Sequence, residues 1–193
     1  MERHILWSPW GEPGIEHLRL LQNDESILAD SIVVGVYKGM PFRLQYNITC
    51  DTLWRVKQLE LELLSDIHKS IKLQADGKGR WTTPAGDPVP MLKGCIDVDI
   101  SATPFTNTLP IRRLALSPGQ SAELLMTYVL IPEMELMTER QRYTCLSITN
   151  SEGLYKYESM DSDFSAELLV DSDGLVLDYP GLFKSVWRSD VNI

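Results

Sequence analysis

The dominant pattern along the chain is alternation of apolar and polar residues with a period of two, interrupted about every ten residues by turn-forming residues. Residues 42–50 (FRLQYNITC) show it best. Phe42, Leu44, Tyr46 and Ile48 share one side, and Arg43, Gln45, Asn47 and Thr49 the other, as expected of a strand with one buried face. Residues 15–21 (IEHLRLL) and the β-branched run 27–37 read as earlier strands, the second closed by Gly39-Met40-Pro41. Residues 1–14, with Trp7 and Trp10, form an irregular or short-strand lead-in. Residues 53–64 have a helical composition, yet they alternate and have strands on both sides, so a strand is expected there. A further strand over 66–73 leads through the Asp-Gly turn at 75–79 to a partner over 80–82. Later strands are expected at 122–132, 141–149, 154–158, 164–170 and 175–179, with a helical turn or loop at 134–140. Many short strands with regular turns predict a sandwich, a barrel or a curled antiparallel sheet.

The pattern changes over residues 94–113, GCIDVDISATPFTNTLPIRR. Ile96, Val98 and Ile100 alternate with Asp97 and Asp99, giving one apolar and one acidic face. A polar corner with Thr106 and Asn107 follows. One short helix is expected near 106–114, capped by Thr106 or Thr108, with Pro110 in its first turn where its missing N–H costs nothing.

Composition sets bounds. The 193 residues, 44% apolar and 23% charged, suit one folded domain over residues 1–193. A net charge of −9 argues against nucleic acid as a partner. Three cysteines without CxxC spacing and three scattered histidines predict neither a disulfide framework nor a metal site. Neither a secretory signal nor a transmembrane run is evident, so a cytoplasmic protein is expected.

The candidate chemistry is polar recognition. Asp97 and Asp99 could accept hydroxyl hydrogens, bind a cation or act as paired acids, although exposed strand faces are commonly acidic as well. Arg112 and Arg113 diverge by about 100° on a helix, which would turn one inward to a carboxylate. Asp51, Trp54 and Arg55 combine a carboxylate, an aromatic ring and a guanidinium, and Asp178 lies at a strand end beside Tyr179. Nucleophile-elbow, Walker and GxGxxG motifs are absent.

The run CIDVDISATPFTNTLPIRRL resembles a bacterial glycolipid-binding family first classed as a domain of unknown function. EHLRL (16–20), DTLWR (51–55), GRW (79–81), RYT (142–144) and GLVLDYPGLF (174–183) extend that likeness over nearly the whole chain. The resemblance implies a spiral β-roll, a strongly curved many-stranded antiparallel sheet wrapped around a single α-helix, with remote likeness to lipoprotein-carrier folds. It also implies a homodimer and an acidic pocket that binds a glycolipid. The ligand-binding candidates are then Asp97, Asp99, Asp51, Asp178, Arg55, Arg112, Arg113, Asn107, Thr106, Trp54, Tyr179 and Glu16. No catalytic residue, metal or cofactor is expected. The alternatives are a glycoside-processing enzyme using paired Asp carboxylates, and a scaffold whose acids only balance buried arginines.

Overall fold

The computed structural model describes residues 1–64 and 69–189. Among the described residues fourteen strands form one sheet. The first arm is an antiparallel meander of seven: β1 (Glu2–Pro9), β2 (Gly14–Gln22), β3 (Ile27–Tyr37), β4 (Met40–Cys50), β5 (Val56–Leu63), β6 (Lys69–Ala75) and β7 (Trp81–Thr82). The chain then leaves the β7 edge and re-enters at the opposite edge with β8 (Asp97–Ile100) and the helix α1 (Thr108–Leu114). The second arm runs inward through β9 (Ser121–Leu130), β10 (Glu135–Ile148), β11 (Glu152–Ser159), β12 (Ser165–Asp171), β13 (Val176–Tyr179) and β14 (Phe183–Arg188). β14 pairs antiparallel with β1 at the middle of the sheet, and β8 pairs parallel with β9.

This path forces the sheet to curl. Fourteen strands laid flat would set the two edges about 60 Å apart. The short connection from Thr82 to Asp97 reaches only about 50 Å fully stretched, and it contains a turn of 3₁₀ helix. The edges do approach: Gly94 N–H donates to Gly79 O at 2.8 Å, and Trp81 Nε1–H donates to Cys95 O at 2.7 Å.

The helix fills the roll. Phe105 and Leu109 pack into a core built mainly from the inner faces of β1–β5, with Leu18, Leu44, Ile48 and Leu59. Ile111 joins a second core formed by β10–β13, with Tyr143, Leu168 and Val176. Ala115 ends the helix in the left-handed conformation, its N–H bonded to Ile111 O. Among the described residues no helix is long and apolar enough to cross a membrane.

The sheet, its curvature and the short helix agree with the expectation, but neither Thr106 nor Thr108 caps the helix: Asn107 precedes it without a side-chain cap, and the two threonine hydroxyls donate to Asp99 and Gly174 O instead. Two further local readings differ. Residues 134–140 are not a helical turn or loop, because Glu135 begins the 14-residue strand β10. β5 starts at Val56 rather than Leu53, since Asp51 Oδ1 takes the N–H groups of Leu53 and Arg55 and folds those residues into a turn. A bulge opposite Cys50 then brings Val56 to the buried side with Leu59, Leu61 and Leu63. The alternative of a wet acidic face on β8 does not hold for Asp97, which is 1% exposed beneath Arg113 of α1, while Asp99 is half-buried beside Gln141 of β10. Part of the strand expected over 66–73 lies outside the described residues, and β6 accounts for the remainder.

Candidate functional site

The corner after β8 closes on itself. Thr106 Oγ1 accepts the Ile100 N–H at 3.2 Å and donates to Asp99 Oδ1 at 2.9 Å. From β10, Gln141 Nε2 donates to Asp99 Oδ2 at 2.7 Å and to Glu139 Oε2 at 2.9 Å. Ser159 Oγ donates to Glu139 Oε1 at 2.9 Å. One amide thus holds two carboxyl groups together. Burial pushes the Asp99 carboxyl up to about 6; Gln141 and Thr106 oppose the shift and Glu139 adds to it.

Asp99 and Glu139 line a cavity of about 330 Å³, with Asn107, Tyr128, Tyr157, Ser159, Phe164, Tyr179 and Phe183 around them. Its aromatic wall is continuous: ring centroids of Tyr157 and Tyr179 lie 6.2 Å apart, and those of Tyr179 and Phe183 6.5 Å. Tyr143 donates to Asn107 Oδ1 at 2.8 Å, which fixes the amide. None of the described lining residues is basic. Burial pushes the Tyr128 hydroxyl up to about 12, so it stays an O–H donor at neutral pH.

A second cleft of about 350 Å³ adjoins the first and shares Ser101, Tyr128, Leu182 and Phe183 with it. Its walls are largely apolar, with Trp7, Val33, Val36, Phe42, Leu130 and Ile131. Glu16 lies in this wall and is 3% exposed. Its Oε1 accepts from Tyr46 at 2.6 Å, Ser31 at 2.8 Å and Thr103 at 2.8 Å. Its Oε2 has no partner among the described residues. Burial pushes the carboxyl up to about 7 against those three donors.

The remaining sequence candidates lie apart from this pair of cavities. Arg113 grips Asp97 through Nε and Nη2, with Nε 2.9 Å from Oδ1. Burial raises the Asp97 carboxyl and Arg113 opposes that shift. Arg112 turns the other way, its Cζ 5.3 Å from the Trp54 ring centroid. The turn made by Asp51 carries Trp54 at φ +61° and Arg55, whose side chain lies against Gly77. Asp178 accepts from Trp10 Nε1 at 3.2 Å at the surface. Of the twelve candidates, Asp99, Asn107 and Tyr179 line the first cavity, Thr106 supports it and Glu16 lines the second. Glu139, Gln141, Tyr157 and Ser159 were not anticipated. The signal available was parity: Glu139, Gln141 and Tyr143 are spaced by two and share a strand face.

Comparison with known proteins gives two matches. The family model described as "Putative glycolipid-binding" matches residues 4–185. A crystal structure of a DUF1089 family protein from Pseudomonas aeruginosa is 37% identical, with a TM-score of 0.77; the match covers 92% of this chain and 91% of that one. No curated protein matches.

Proposed function

The chain belongs to the glycolipid-binding family, and from that premise we propose that it binds a sugar-bearing amphiphile without chemical turnover. The sugar occupies the cavity of Asp99 and Glu139, and the acyl or alkyl chain occupies the adjoining apolar cleft. The observation that carries this reading is that the two spaces lie side by side and share Ser101, Tyr128, Leu182 and Phe183 as lining. Carboxylates accept sugar hydroxyls, and tyrosine rings stack on the C–H faces of a pyranose. A chain in the neighbouring cleft leaves water at roughly 0.8 kcal/mol per methylene.

Other features support finer expectations. Trp187, Leu6, His17 and Ile32 are cross-strand neighbours on the outer face, and Trp187 is 51% and Ile32 46% exposed. This row, apolar at Trp187, Leu6 and Ile32, supports a homodimer. The buried free thiols of Cys50, Cys95 and Cys145 fit a reducing, cytoplasmic compartment. The single continuous sheet supports one domain over residues 1–193.

The deciding experiment is mass spectrometry of lipids extracted from protein purified without detergent, against a surface-matched control. A stoichiometric glycolipid is expected. An empty protein that also fails to bind octyl β-D-glucoside removes the proposal. A glycosidase reading draws on Asp99 and Glu139, which share one Gln141 donor, rather than on Asp97, which Arg113 occupies. Release of nitrophenol from 4-nitrophenyl glycosides, lost in Glu139→Gln, would establish it instead.

A further inference from the structure

Glu16 has a geometry that sugar recognition in the neighbouring cavity does not explain. It stands on β2 with the same parity as Leu18 and Leu20, so the strand drives it inward with the core. A carboxyl group in an apolar wall needs partners for both oxygens. Oε1 accepts from Tyr46 and from Thr103, whose oxygen takes the Phe105 N–H and leaves its hydrogen free for Glu16, while Ser31 divides its one hydrogen between Oε1 and His17 O. Oε2 has none among the described residues. The side chain belongs to the cleft assigned to the apolar chain.

Oε1 is filled by donors, so a proton on this carboxyl resides on Oε2. The neutral form therefore presents an O–H without an acceptor, and the ionised form an acceptor without a donor. Burial brings the group to about 7, which populates both forms at neutral pH. An ether or ester oxygen satisfies only the first form, and an amide N–H only the second. A hydroxyl satisfies both, because it donates and accepts.

We propose that Glu16 Oε2 binds a hydroxyl group carried on the apolar chain of the amphiphile, so that the protein selects hydroxylated chains over plain ones. The inference rests on the proposed function for the placement of the chain. It does not depend on the identity of the head group. Thr103 connects the two spaces, since it bonds Glu16 and also lines the carboxyl and tyrosine cavity. The chain hydroxyl is accordingly expected near the junction with the head group.

The test uses isothermal titration at pH 7 with two matched pairs of probes: octyl and 2-hydroxyoctyl β-D-glucoside, and methyl decanoate and methyl 3-hydroxydecanoate. In each pair the hydroxylated probe is expected to bind at least tenfold tighter, the order of one well-made buried hydrogen bond. Glu16→Leu is expected to erase that preference, so that the two members of each pair bind alike. Equal affinities within both pairs overturn the proposal and leave the glycolipid reading standing. Discrimination between the esters without binding of either glucoside upholds it and removes the sugar reading. No binding of any probe overturns both. A preference that survives in folded Glu16→Leu protein overturns the assignment to Glu16. Should that variant fail to fold, the wild-type ratios decide alone.

Discussion

Arg113 on α1 grips Asp97 on β8 through two guanidinium nitrogens, with Asp97 1% and the Arg113 side chain 14% exposed. This ion pair joins the helix to the edge strand of the sheet. It is an anchor, separate from the cavity beside Asp99 on the same strand.

Breaking the anchor from one side should therefore damage the fold more than the site. Arg113→Met leaves a buried carboxylate unpaired, at a cost of about 3–5 kcal/mol. At roughly 2–4 °C per kcal/mol for a chain of this size, the melting temperature should fall by about 10 °C. The double variant Asp97→Leu/Arg113→Met should recover most of the loss. Calorimetric melts of the three proteins check this, and equal melting temperatures for single and double variants would refute it.

Asp99→Asn should separate stability from function. At pH 8 the wild-type protein holds a buried charge whose carboxyl burial has raised to about 6, and the amide removes that charge. Stability at pH 8 should change by no more than about 1–2 kcal/mol, because loss of the charge offsets the hydrogen bond that Gln141 or Thr106 can no longer make, while affinity for octyl β-D-glucoside should fall at least tenfold, because one acceptor oxygen is replaced. Urea titration and calorimetry on the same preparation read the two effects. A parallel loss of both would assign Asp99 to the fold alone.

Stability should decline from mildly acidic to mildly alkaline pH. Glu16 is raised from 4.5 to about 7 and Asp99 from 3.8 to about 6. The folded protein therefore binds these protons more tightly than the unfolded chain. The contribution is complete below the unfolded values and is lost as pH rises through about 7 and about 6 respectively. For Glu16 alone the change is on the order of 3 kcal/mol. Urea unfolding at pH 5 and pH 8 should show the drop, and Glu16→Gln should shrink it. A flat wild-type profile would contradict the assigned shift.

The point where the roll nearly closes should tolerate no side chain. A Cβ at Gly79, where φ is +92°, would lie 2.8 Å from Gly94 Cα. Backbone blocks it on one side, so Gly79→Ala should cost about 2 kcal/mol or more. Gly39 at φ +77° has nothing within 4 Å of the same added atom, so Gly39→Ala should cost only the conformational strain, about 1 kcal/mol. Thermal melts of the pair test the difference; equal losses would mean that the contact with Gly94 yields easily.

Local periodicity revealed most of the strands, because a half-buried strand records its own orientation. Leu44, Tyr46 and Ile48 are inward in the structure as their spacing implies. The same parity places Glu16 inward beside Leu18 and Leu20. What local pattern does not carry is which distant element covers a face. The Asp97 and Asp99 face is polar like a wet one, and is covered only when α1 packs on Asp97 and β10 on Asp99, which stays half-buried at the cavity. Glu139 was hidden for a related reason. The MELMTER segment has helix-forming residues, and pairing with β9 overrides that preference, as Glu139 opposite Met126 shows.

The pairing of β1 with β14 sets a timetable for synthesis. Ile5 leaves the ribosome early and must wait for Arg188 before its ladder is complete. Until then the growing chain carries an open strand edge that offers unpaired N–H and C=O groups to any neighbour. Nascent chains stalled before β14 should thus be the species most in need of a chaperone, and the finished roll the form that no longer presents that edge.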